Sequence, residues 1–67
     1  MNAAANWTVE NATACIALYG AKAAEFESMA AELVHAPFWL DCYARTAEAN
    51  RREERYCQSK LESLSGR

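Results

Sequence analysis

Helix breakers are almost missing from this 67-residue chain: one proline, Pro37, and two glycines, Gly20 and Gly66. Apolar β-branched residues are as scarce, limited to Val9, Ile16 and Val34. Little here suits a strand, and with alanine abundant the composition points to helix throughout. No window approaches the ~20 consecutive apolar residues of a membrane span, so no membrane partner is expected. Met1 to Asn6 has no basic stretch and no apolar run follows it, so the expected setting is cytoplasmic. A net charge of −2 predicts attraction neither to nucleic acid nor to an anionic membrane. Three cysteines without an export signal read as reduced thiols, and an odd number does not close a disulfide framework.

What is present is a heptad pattern. Steps of three and four from Val9 give Ala12, Ile16, Tyr19, Ala23, Phe26, Ala30 and Leu33, every one apolar or aromatic. That is the seam of a coiled-coil-type helix. A helix is predicted over about 7–34, capped by Asn6 or Thr8, with Glu10 favourably placed in its first turn. Residues 35–36 make the turn. Pro37 then opens a second helix over about 37–64, because its missing N–H costs nothing in a first turn. Ser65 and Gly66 close it. So short a link makes the two helices antiparallel.

The second helix carries its own seam: Leu40, Tyr43, Ala47, Asn50, Glu54, Cys57, Leu61 and Leu64. Folded back at Pro37, the seams align in one register. Leu33 falls opposite Leu40, Ala30 opposite Tyr43, Phe26 opposite Ala47 and Ala23 opposite Asn50. Tyr19 then meets Glu54, Ile16 meets Cys57, Ala12 meets Leu61 and Val9 meets Leu64. Large faces small at most layers, which fills a seam without voids or clashes. The polar layers at Asn50 and Glu54 read as register control, with the Tyr19 hydroxyl donating to Glu54. The predicted fold is therefore all-α: one domain over 1–67, an antiparallel two-helix hairpin.

Catalytic and metal chemistry find little support. Zinc needs about four converging N/S ligands, usually from close pairs. Cys15, Cys42 and Cys57 form no such pair, and the only histidine, His35, lies roughly 30 Å of helix away from Cys15. No metal and no cofactor are expected. A Cys42–His35 nucleophile would lack an orienting third group and a water-excluding pocket, so no catalytic residue is assigned. Cys15 and Cys57 read as small buried hydrophobes. They lie at nearly one level of the hairpin, so oxidation could link them if their rotation about the helices allows.

Arg45, Arg51, Arg52 and Arg55 alternate with Glu48, Glu53 and Glu54, the pattern of a solvated, ion-paired face. A nucleic-acid-binding helical dimer would want a net basic stripe, which the acids nearly cancel.

The residues left off the seam carry the functional reading. Trp7, Leu18, Met29, Phe38, Trp39 and Tyr56 are large, and a lone hairpin leaves them in water. Tryptophan and tyrosine are the types most enriched at interface hot spots. Met29, Phe38, Trp39 and Tyr43 near the turn, rimmed by Arg45 and Arg52, are the predicted partner contacts. Helix 1 also carries a small-residue stripe, Ala17, Gly20, Ala24, Ser28 and Ala31. It suits a homodimer interface in which two hairpins make a four-helix bundle. The expectation is a small interaction module that binds itself and another protein. It has the format of the inhibitors, anti-activators and adaptors that phages and mobile elements often encode. A structural or assembly-chaperone subunit is the alternative.

Overall fold

A computed structural model describes residues 7–66. Among them the chain forms two helices, α1 over Val9–Ala31 and α2 over Pro37–Ser65, packed against each other. Thr8 is the N-cap of α1: its backbone is extended and its hydroxyl accepts from the Asn11 N–H at 3.0 Å. Asn6, the alternative cap, lies outside the described residues. Glu10 stands in the first turn, where the helix dipole favours an acid. At the far end Gly66 caps α2, its N–H donating to the Glu62 carbonyl at 2.8 Å.

The link between the helices is longer than the expected two residues. It spans 32–36, and α1 stops at Ala31 rather than near Val34. The cause lies in Pro37. Its ring pushes the preceding residue out of the helical region, and Ala36 sits at φ −132°, ψ 75°. Upstream the chain tightens: Glu32 donates to the Met29 carbonyl, Leu33 to Ala30 and Ala36 to Leu33, at 3.0–3.1 Å. These three-residue steps end the α-helix and turn the chain. Helix α2 starts from Ala36 with no side-chain cap, Pro37 supplying a first residue that needs none.

Among the described residues the buried ones are all seam positions: Ala12, Ala23, Ala30, Ala47 and Cys57. Ile16, Tyr19, Phe26, Leu33, Leu40, Tyr43, Asn50, Glu54, Leu61 and Leu64 are half-buried around them. Val9 departs from this pattern and stays exposed, because it stands at the first residue of α1, where the seam runs out. Contacts across the hairpin fall close to the alignment read from the heptads without reproducing its pairs. The Phe26 ring stacks on Tyr43 with centroids 5.7 Å apart. Burial, and then the neighbouring Cys15, push the Cys57 thiol up. The Glu54 carboxylate lies against Gly20. Gly20–Glu54 and Cys15–Cys57 lie one residue from the predicted pairs Tyr19–Glu54 and Ile16–Cys57, whereas Phe26–Tyr43 is displaced by one turn from the predicted pairs Phe26–Ala47 and Ala30–Tyr43.

The hairpin is a single layer. Its extents are 48 × 24 × 13 Å, and the thinnest is about the ~10–12 Å diameter of one helix. Each helix therefore covers one flank of the other and leaves both broad faces open. No helix among the described residues is long and apolar enough to cross a membrane.

Candidate functional site

Four aromatic rings run in series from the turn into the seam. Phe38 meets Trp39 edge to face at 5.2 Å. Trp39 lies 6.5 Å from Tyr43, and Tyr43 stacks on Phe26. Helical spacing explains the middle of the series: Trp39 and Tyr43 are four residues apart and so share a flank of α2. Exposure falls along it, from 69% at Phe38 and 55% at Trp39 to half-buried Tyr43 and Phe26. The inner pair belongs to the hairpin's own packing. The outer pair stands more than half exposed to water.

The other predicted contact residues distribute around this series. Met29 is exposed on the last turn of α1, and Val34 in the link is exposed beside it in sequence. Arg45 is paired with Asp41 at 2.9 Å, one turn back on the same exposed ridge. Phe38, Arg45 and Arg52 recur every seven residues, so they share one stripe along α2. Phe38 thus turns toward the outer face of α2, while Tyr43 turns toward the seam.

The small-residue stripe of α1 divides in a similar way. Ala17, Ala24, Ser28 and Ala31 are exposed. Gly20 is half-buried and already occupied within the chain: a Cβ built there would stand 2.8 Å from the Glu54 Oε2. The bare backbone at Gly20 therefore makes room for a carboxylate of α2, a use the stripe reading did not include.

Glu54 itself is positioned by an ion-pair clamp that the sequence reading missed. Arg51 donates through Nε and Nη2 to both Glu27 oxygens, at 2.9 and 2.8 Å, and through Nη1 to Glu54 at 2.9 Å. One guanidinium so ties α1 to α2 by a bidentate fork and holds a second carboxylate over Gly20. Glu54 takes its bond from Arg51, not from the expected donor Tyr19. Asn50, the other polar seam residue, donates back to the Thr46 carbonyl of its own helix at 2.9 Å. The Arg51 hydrogen bonds hold the Glu27 carboxyl below the usual carboxylate range, and the two carboxylates raise the guanidinium's own value. The signal was available: Glu27 adjoins Phe26 and Arg51 adjoins Asn50, the flanking positions from which charges reach across a coiled coil.

Trp7 is also not left in water. It is half-buried and meets the Tyr56 ring edge to face at 6.0 Å. Lys60 Nζ lies 5.3 Å from the centroid of the same ring. The residue before the N-cap thus folds back onto α2, and its indole Nε1 is buried without a hydrogen-bond partner.

The other ion pairs lie within α2. Glu48 joins Arg55 at 3.1 Å, not Arg52. Of the four arginines of α2, Arg45, Arg51 and Arg55 are bound to carboxylates. Cys42 is half-buried on α2, and no group of three or more His, Cys, Asp or Glu among the described residues is arranged to hold a metal ion. Compared with protein-family models, curated proteins and solved structures, the chain matches none.

Proposed function

We propose that this chain is a protein–protein interaction module whose docking surface is the outer end of the aromatic series, Phe38 and Trp39, with Met29 beside the turn. It acts as a regulator or inhibitor by covering a surface of its partner, adding helices to a groove there. One observation carries the reading: two large rings stand more than half exposed at the tip of a one-layer hairpin. Rings held against one another in this way are pre-ordered, so docking them costs little side-chain entropy. Arg45 and Arg52 form a polar rim on the same side as Phe38. A second copy, packed on the open face of α1 along Ala17, Ala24, Ser28 and Ala31, completes a four-helix bundle and leaves the tip free. A core of four alanines and one cysteine is small for a chain that folds alone, which favours such pairing.

The test is affinity capture from the native host with the wild-type chain and with Trp39→Ala. Circular dichroism and light scattering are run on both. The reading expects a partner held by wild type and bound about 30-fold or more weakly by the variant, the loss of one hot-spot ring. Helicity and oligomeric size should not change. Equal capture by both chains overturns the assignment of the tip. Loss of helicity in the variant would make Trp39 a packing residue and overturn it as well.

A further inference from the structure

We propose that the partner docks an amphipathic helix lengthwise on one broad face of the hairpin, parallel to α1, with acidic residues in its N-terminal half and basic residues in its C-terminal half. This rests on the reading of Trp39 and Met29 as docking residues and extends it along the chain. The two broad faces differ in make-up. In an antiparallel hairpin the residues one position after each seam residue share one face, and those one position before share the other. The clamp marks the first face: Glu27 and Arg51 follow Phe26 and Asn50, and they meet there. Ala17, Ala24 and Ala31, which receive the second copy, follow Ile16, Ala23 and Ala30 and lie on it too. The second face carries the large anchors. Leu18 and Met29 precede Tyr19 and Ala30, Trp39 and Tyr56 precede Leu40 and Cys57, and all four are exposed. Among the described residues, the clamp face has only Val34 of the link as an exposed large apolar side chain.

Shape and charge together choose the occupant. Leu18 and Met29 flank the trough between the helices on one side, Trp39 and Tyr56 on the other, which is the seat of an added helix in a bundle. Between Trp39 and Tyr56 the same flank of α2 has the short side chains of Cys42, Thr46 and Ala49, so a helix can approach closely. The span from Trp39 to Tyr56 is roughly 25 Å, which a helix of about 17 residues covers. Toward the turn this face carries Glu25 and Glu32 and no cation. From its middle to the open end it carries Lys22, Glu53 and Lys60, a net positive charge. Glu25, Glu32, Lys22 and Glu53 form no ion pair among the described residues, and Lys60 lies over the Tyr56 ring. Acids are favoured at a helix N-terminus and bases at its C-terminus. A helix built that way complements this face only with its C-terminus toward the turn, which makes it parallel to α1.

The probes are two dye-labelled synthetic helices of about 17 residues with leucine at their a and d positions. One has glutamates toward its N-terminus and lysines toward its C-terminus, and the other has the reverse. Fluorescence anisotropy should show the first bound by the full chain at least about 10-fold more tightly than the second. Glu25→Lys with Glu32→Lys should remove or invert that preference. Leu18→Ser should weaken the first peptide by about 10-fold, with helicity by circular dichroism and size by light scattering unchanged. Binding of neither peptide, equal binding of both, or indifference to Leu18→Ser would each overturn the proposal. A smaller particle for Leu18→Ser would mean that a second copy covers this face, and overturn it too. Host capture separates this inference from the reading it rests on. Capture lost with Trp39→Ala but kept with Leu18→Ser leaves the tip as the docking surface and removes the lengthwise helix, whereas capture kept with Trp39→Ala removes the tip itself.

Discussion

Ala23→Leu is expected to lower the melting temperature by about 10 °C, with the helices forced apart at the middle of the seam. Ala23 is fully buried, and leucine has nearly alanine's helix propensity, so the change is steric rather than conformational. Overfilling a packed interior costs about 1–3 kcal/mol, and each kcal/mol shifts the melting of so small a domain by about 4–8 °C. A chain of this length has only a few kcal/mol of stability to lose. The matched control is Ala49→Leu on the exposed face of α2, which should move the melting temperature little. Both are read by circular dichroism at one protein concentration, since self-association would make the midpoint concentration-dependent. Equal effects at positions 23 and 49 would mean that the seam is not closely packed.

The second large effect is expected from Phe26→Ala. Phe26 supplies the largest apolar side chain that α1 gives to the seam, and its ring stacks on Tyr43. Truncating a fully buried phenylalanine costs about 3–5 kcal/mol. Phe26 is half-buried, so about 2 kcal/mol is the reasonable expectation, including the loss of the ring pair. Melting should fall by about 10 °C. Tyr43 should show the change directly, its ring becoming more mobile and its fluorescence altered. Phe26→Leu keeps most of the volume and should lose less than half as much. If alanine and leucine were equivalent at this position, the ring pair would contribute nothing.

Much of the fold is legible in the sequence because it rests on periodicity. The residues that end up buried had already been picked out by steps of three and four, and Pro37 marked the bend. Less legible were the features that depend on where a flexible side chain goes. Arg51 could have stayed in solvent or reached Glu48; that it binds Glu27 as well as Glu54 follows from the facing of two helices, which the packed hairpin settles. Gly20 read as a place for another chain to approach, whereas the Glu54 carboxylate uses it. Trp7 read as surplus because it lies off the seam at the expected start of the helix; α1 starts at Val9 instead, and before its cap no periodicity says which way the chain turns. The link ran longer than expected because Pro37 fixes only the extended residue before it, and the three-residue steps that end α1 upstream have no residue signature of their own.

The candidate site was legible only as a set of residues left over. Counting the large side chains off the seam identifies Met29, Phe38 and Trp39 as unaccounted for. It does not say that Phe38 and Trp39 touch, or that Tyr43 and Phe26 continue the series inward. That continuity links stability to docking: Tyr43 buttresses Trp39 while belonging to the seam. Substitutions at Tyr43 should therefore be avoided in mapping the partner surface, because they disturb both.

The most direct measurement of the doubled-back chain is a nuclear Overhauser spectrum on a mixture of labelled and unlabelled protein, edited for contacts within one molecule. The hairpin predicts intramolecular cross-peaks between the ring protons of Phe26 and Tyr43, and between the Gly20 α-protons and the Glu54 side chain. Their absence, or their appearance only between molecules, would contradict a chain that folds back on itself.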